Sequence, residues 1–285
     1  MSTGRAASIH DRLLAHAKRN GEDFTLTLTR YGLERFLYRL GRSTHRSRFV
    51  LKGALLLDLW FHAPMRPTRD ADLLGIDALD AESMTHVIAE VCNVDADDGL
   101  EFDIESIRVA PIRDDTLHGG LRAKLVARLG AARCPIQLDV GFGDAITPDP
   151  QEVEYPTILS DVPAPSLFAY PQETVIAEKL EAIAHLGMAN SRMKDYFDLF
   201  VLSRHASPDH EQMTAAIEAT FSGRGTRLPV KLPIGLTPQF AEDRQKKTQW
   251  AAFLSRSRLD APPLSEVVVR IVAIYGPHLL HAGTR

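Results

Sequence analysis

Residues 66–75 read RPTRDADLLG: two carboxylates, Asp70 and Asp72, stand one residue apart, flanked by Arg66 and Arg69, and run at once into Leu73-Leu74-Gly75. The spacing predicts a strand over 68–75. Residues two apart on a strand leave the same face, about 6.5–7 Å apart along the chain, so Asp70 and Asp72 share a face while Ala71 and Leu73 turn to the core. Two anions held that close repel and raise one another's pKa unless a cation intervenes. Magnesium suits such a pair, being a hard ion that prefers carboxylate oxygens, keeps waters and takes remaining ligands from substrate phosphates.

A two-metal site, with ions about 3.5–4 Å apart, calls for a third carboxylate. The stretch CPIQLDVGFGD (134–144) alternates, with Ile136, Leu138, Val140 and Phe142 facing one way and Gln137, Asp139, Gly141 and Gly143 the other. Asp139 is therefore the third candidate ligand, for one or two magnesium ions. Upstream, RFVLKG (48–53) reads as a short buried strand and ALLLDLWFH (54–62) as a helix. Gly53 between them gives a side-chain-free approach and backbone N–H groups at a positive helix end, where the phosphates of a nucleoside triphosphate would sit. Lys52 adds a charge there, and Arg is the natural triphosphate clamp. The nucleotide-binding candidates are Lys52, Gly53, Ala54, Arg66, Thr68 and Arg69.

The chain around this centre has 285 residues, 45% hydrophobic and 25% charged, as in an ordinary soluble globular protein. Its two cysteines, Cys92 and Cys134, suggest neither a disulfide framework nor a zinc site, and its eleven histidines show no pair at metal spacing. No signal-peptide run and no membrane-length apolar window appears, so a cytoplasmic location with no membrane partner is expected. Helical spacing covers 10–20, 23–42 and 81–92, and strand-like stretches follow at 101–109 and 120–130. A Pro-rich crossing, 155–171, leads to helices over 173–186, 191–204, 208–221, 238–257 and 263–276. The expected architecture is α+β, a sheet domain with basic N-terminal helices over 1–165, followed by a mainly helical domain over 166–285 that covers the cleft.

Within the helical part, Lys179 lies in an otherwise apolar helix beside Ile176, Leu180 and Ile183, and Asp195 and Asp198 stand three apart on one face of the next helix. Lys179 can serve as a point charge for a phosphate, with an aspartate orienting it or the acceptor hydroxyl. A structural ion pair between helices is the rival reading.

Taken in order, FVLKGALLLDLW, RPTRDADLLG, IQLDVG, VIAEKLEAIAHLG and RMKDYFDL resemble the AbiEii/AbiGii toxin family of DNA polymerase β-type nucleotidyltransferases, the toxins of type IV toxin–antitoxin and abortive-infection systems. The resemblance spans roughly residues 22–275. It places the family's first motif on Lys52 and Gly53, the metal pair on Asp70 and Asp72, and the later Lys and Asp motifs on Lys179, Asp195 and Asp198. One departure is Ala54, where many polymerase β-type enzymes carry Ser or a second Gly, so no hydroxyl is available there for phosphate. The resemblance implies an NTP substrate, an acceptor at the 3′ end of tRNA whose modification blocks translation, and a cognate antitoxin, often a winged-helix regulator. A nucleotidyltransferase acting on protein, or a nucleotide-binding module acting through a protein partner, are the alternatives, since one scaffold hosts many acceptors.

Charge is segregated. Residues 1–52 hold eleven Lys or Arg against four Asp or Glu, a balance of +7, and residues 70–115 hold two against fourteen, a balance of −12. An RNA acceptor needs cationic surface near the carboxylates. Arg35, Arg39 and Arg42, on the polar side of the 23–42 helix, are the expected RNA-binding residues.

Overall fold

A computed structural model of the chain describes residues 3–62, 65–112, 119–204 and 209–284. Its contacts form two compact units, Met1–Gly143 with Gln151–Ala169, and Asp144–Pro150 with Tyr170–Arg285.

The first unit opens with helices α1 (Thr3–Asn20) and α2 (Phe24–Arg42). There follow β1 (Phe49–Lys52), α3 (Leu55–Phe61), β2 (Ala71–Gly75), α4 (Ala81–Cys92), β3 (Leu100–Pro111), β4 (Gly120–Leu129), β5 (Ala132–Phe142), β6 (Gln151–Glu154) and β7 (Ser166–Ala169). The seven strands form one mixed sheet in the order β3-β4-β5-β2-β1-β7-β6. In it β2 runs parallel to β5, and β1 is antiparallel to β2 and parallel to β7.

Helix α2 starts where Asp23 accepts a hydrogen bond from the Leu26 backbone N–H at 3.0 Å, satisfying one of the free donors of its first turn. Its apolar stripe of Leu33, Phe36, Leu37 and Leu40 is buried, each such side chain contributing roughly 1.5–3 kcal/mol. A Cβ on Gly32 would lie 2.5 Å from Cys134 Sγ, so the bare backbone is what lets α2 settle on β5. Phe36 and Leu40 of α2, Met84 and Ile88 of α4, and Leu73 and Leu138 of the sheet line one small apolar cavity. The helices thus cover the face that carries Leu73 and Leu138, and the alternation of β2 and β5 turns Asp72 and Asp139 to the other.

The second unit contains α5 (Gln172–Leu186), α6 (Met193–Leu202), α7 (His210–Gly223), a four-residue α8 (Pro238–Ala241), α9 (Arg244–Ser257) and α10 (Leu264–Ala282). Ile183, Tyr196, Ile217, Phe240, Ile271 and Leu279 are fully buried in it. No helix among the described residues is long and apolar enough to cross a membrane.

Three local readings change. Strand β7 lies inside the stretch read as a crossing, because four residues sharing only a two-pair parallel register with β1 leave no periodic signal. The helix expected over 238–257 breaks into α8 and α9, with Asp243 capping the second through the Lys246 N–H at 3.0 Å. Helix α10 continues through Pro277 to Ala282, since burial of Leu279 and Ala282 offsets the hydrogen bond that proline removes. Residue 208, expected to open α7, and residues 63 and 64 of the loop before the acidic pair lie outside the described residues.

Candidate active site

The register of the sheet assembles a charged row. Lys52 of β1 stands opposite Asp72 of β2, Asp72 opposite Asp139 of β5, and Asp139 opposite Arg122 of β4. Paired residues on neighbouring strands project to the same face with Cβ atoms about 4.5–5.5 Å apart. Two cations therefore bracket two carboxylates along one line.

Each carboxylate is held differently. Asp70 sits one residue before β2, not within it, and its Oδ1 accepts a hydrogen bond of 2.7 Å from the Thr68 hydroxyl. Thr68, expected at the nucleotide, is buried and orients Asp70. Asp72 is packed against Gly53, whose φ of +75° is a left-handed conformation that favours glycine. A Cβ at Gly53 would lie 2.0 Å from Asp72 Oδ2, so only a glycine brings the β1–α3 backbone this close to the acid. Asp139 accepts two hydrogen bonds from Arg122, 2.8 Å from Nε to Oδ1 and 2.6 Å from Nη2 to Oδ2, and a weaker one of 3.3 Å from Gln137.

Sequence reasoning missed Arg122 and Gln137. The alternation of β4 announces that Arg122 is on a polar face, but its partner depends on strand pairing, which local sequence does not encode.

Asp70 and Asp72 suit a magnesium ion: hard oxygen donors two residues apart, with backbone drawn tight against one of them. Among the described residues no group of three His, Cys, Asp or Glu side chains is gathered to hold an ion, and both carboxylate oxygens of Asp139 accept from Arg122. Such a site leaves the remaining coordination to substrate phosphates and water, which is magnesium's habit.

Other candidates fall around this centre. Ala54 is buried at the start of α3, Lys52 and Arg66 are partly buried, and Arg69 is exposed. Asp58 of α3, not singled out by sequence, is buried beside Arg30 at 3.5 Å and Tyr155 at 3.4 Å. Burial pushes its carboxyl up to about 6, against the pull of Arg30.

In the second unit Lys179 of α5 donates to Asp195 at 3.0 Å and to Asp198 at 2.7 Å, both on α6, so the three expected residues do meet. Their side chains are only 12%, 7% and 1% exposed. The aspartates share one helix face, as their spacing of three requires.

The expected RNA surface on α2 is corrected. Arg35 and Arg39 are 0% and 1% exposed. Arg35 pairs with Glu34 at 2.8 Å and donates to the Pro163 carbonyl at 2.9 Å, and Arg39 donates to Asp98 at 3.1 Å. Burying those charges demands partners, and both arginines are committed to them; only Arg42 is exposed.

A family model for the nucleotidyl transferase AbiEii toxin of type IV toxin–antitoxin systems matches residues 35–270. The chain belongs to the AbiEii toxin family. It is therefore a nucleotidyltransferase of a toxin–antitoxin family, which implies an antitoxin partner. Among solved structures, JHP933 from Helicobacter pylori aligns at 13% identity over 88% of this chain and 89% of its own, with a TM-score of 0.48. A second H. pylori chain, provisionally described as a nucleotidyltransferase, aligns at 14% identity over 88% of this chain and 92% of its own, with a TM-score of 0.47. No curated protein matches.

Proposed function

We propose that this AbiEii-family enzyme transfers a nucleotidyl group from an NTP to the 3′ end of tRNA in a magnesium-dependent reaction and so blocks translation. The observation that carries the reading is the lateral row Lys52–Asp72–Asp139–Arg122 with the Gly53 backbone pressed against Asp72. Asp70 and Asp72 would hold the metal, with Asp139 beside them. Bound magnesium supplies positive charge to the triphosphate.

The chain's own groups do the rest. Gly53 brings backbone close to the phosphates without a side chain in the way, and Lys52, Arg66 and Arg69 supply charge to them. Thr68 fixes Asp70, and Arg122 with Gln137 fixes Asp139. In the transfer, the acceptor 3′ oxygen bonds to the α-phosphorus, the bond from that phosphorus to the bridging oxygen breaks, pyrophosphate leaves, and the hydroxyl proton is released. A role in the reaction for Lys179, Asp195 and Asp198 belongs to the proposal. NTP and tRNA meet in the cytoplasm, and the antitoxin there would be a winged-helix regulator.

Incubating the purified chain with each labelled NTP, total RNA and magnesium, then with EDTA, tests this. The expected result is label on tRNA-sized RNA that EDTA abolishes. Label on protein would replace the acceptor, and no transfer to any acceptor would leave the module reading.

A further inference from the structure

The α2 arginines are buried, yet the sheet face that bears Asp72 and Asp139 carries cations of its own. Strand β4 buries Leu121, Leu125 and Leu129 and turns Arg122, Lys124 and Arg128 to the opposite face, with no acid among them. The register adds two more. Lys124 stands opposite Arg108 of β3, and Arg128 opposite Arg133 of β5. Lys124, Arg108, Arg128 and Arg133 are all exposed.

Like charges set directly opposite on neighbouring strands destabilise a sheet. Two such pairs on one face, Lys124–Arg108 and Arg128–Arg133, are a cost that folding alone does not explain. The guanidinium of Arg108 is partly occupied by the Glu105 and Ile107 carbonyls. Beside β4 on this face, apart from Asp139, the acids are Glu101 opposite Arg128 and Asp103 opposite Val126, both on the edge strand β3. The cations along β4 and β5 begin at Arg122, the partner of Asp139, and reach about 20 Å away at Arg128, from the 3.3–3.4 Å rise per strand residue.

We infer that this face is the track along which the acceptor RNA is held, its phosphates seated between the like-charged cross-strand pairs, with its 3′ end at the Asp139 end of the row. The inference rests on the RNA-acceptor reading above. Phosphate contacts of this kind are sequence-blind and salt-dependent, and they position a strand without reading it. A phosphate between two cations also relieves their repulsion.

The test measures binding, not transfer. The full chain is titrated with fluorescently labelled bulk tRNA, without NTP, from 50 to 200 mM salt, alongside Lys124→Glu/Arg128→Glu/Arg133→Glu and its milder Gln counterpart. A control reverses Lys18 and Arg19, exposed on α1. The expected result is at least tenfold weaker binding by the triple reversal, an intermediate loss for the Gln variant, and a log–log salt slope shallower by about 2, from roughly 0.7 per lost single-strand phosphate contact. Unchanged affinity and slope in the triple reversal, with tight binding by the parent chain, would overturn the track and leave the RNA-acceptor reading standing. An equal loss in the α1 control would also overturn it, reducing the effect to net charge. Failure of the parent chain to bind tRNA at all would overturn both.

Discussion

Two acid clusters in this chain are built on opposite principles. In the sheet, register sets Asp72 opposite Asp139, the Gly53 turn packs against Asp72, Asp70 stands one residue before the strand, and the arginine on Asp139 has a side chain 41% exposed. Between α5 and α6, Asp195 and Asp198 close on the amine of a nearly buried lysine. A half-exposed cation can be exchanged for a metal or a phosphate at small cost, because ion pairs in contact with solvent contribute little. A buried one cannot leave without stranding two carboxylates. Aspartates beside a cation thus form the proposed ligand site in one place and, in the other, a cluster that ties two helices together.

The largest expected effects break the first cluster. Asp70→Asn and Asp72→Asn should each lower transfer by about a thousandfold or more, beyond the loss of a single electrostatic donor, while Tm stays within a few degrees, since both side chains are only partly buried. Gly53→Ala should lose activity comparably, because its φ is strained for alanine and the new Cβ drives Asp72 aside; rate and circular dichroism measured together check it.

The second cluster answers to the opposite pair of readouts. Lys179→Ala should cost about 3–5 kcal/mol of stability by denaturant titration, the range for removing one partner of a buried pair. If the rate per folded molecule also falls, Lys179 works in the reaction as well; if that rate is unchanged, the cluster is architectural and the contrast between the two is complete.

Asp58 sharpens the comparison from the side of pH. Its carboxyl is raised by burial from 3.8 to about 6, so between those values the folded chain holds a proton that the unfolded chain has lost. Stability from this group is present below about pH 4 and is lost as pH rises through 6, a span of roughly 2–3 kcal/mol at most. Asp58→Asn should therefore raise Tm at pH 7.5 and change it little at pH 4, checked by calorimetry at the two values. Smallest of all, Arg122→Gln should cost under about 1 kcal/mol of stability, as for a half-exposed pair, measured by urea titration.

How far the sequence carried this account depends on the range of the interaction. The strand around Asp72, the alternation that exposes Asp139 and the helix over 81–92 follow from periods of two and 3.6, and each matches the structure at or within a few residues. The AbiEii family was legible by resemblance, because each of the motifs that carry it, from FVLKGALLLDLW to RMKDYFDL, is a contiguous run of residues. Arg35 and Arg39 were misplaced because amphipathicity gives only the direction a side chain leaves its helix. Asp98, which anchors Arg39, is 59 residues away. Strand β7 and the Arg122–Asp139 pair were hidden in the same way, as products of strand pairing across long stretches of chain. The cationic row on β4 was half legible: its alternation was plain, its neighbours on β3 and β5 were not.

The central claim is that Asp70 and Asp72 form a metal-dependent nucleotidyl-transfer centre on the sheet. The most direct measurement follows label from an α-labelled NTP into total RNA with the full chain and with Asp70→Asn, each with and without magnesium, after both are shown to have the same Tm. The account predicts magnesium-dependent transfer by the parent chain and none above background by the variant. Transfer by Asp70→Asn at the parent rate, or by the parent chain undiminished in EDTA, would contradict it.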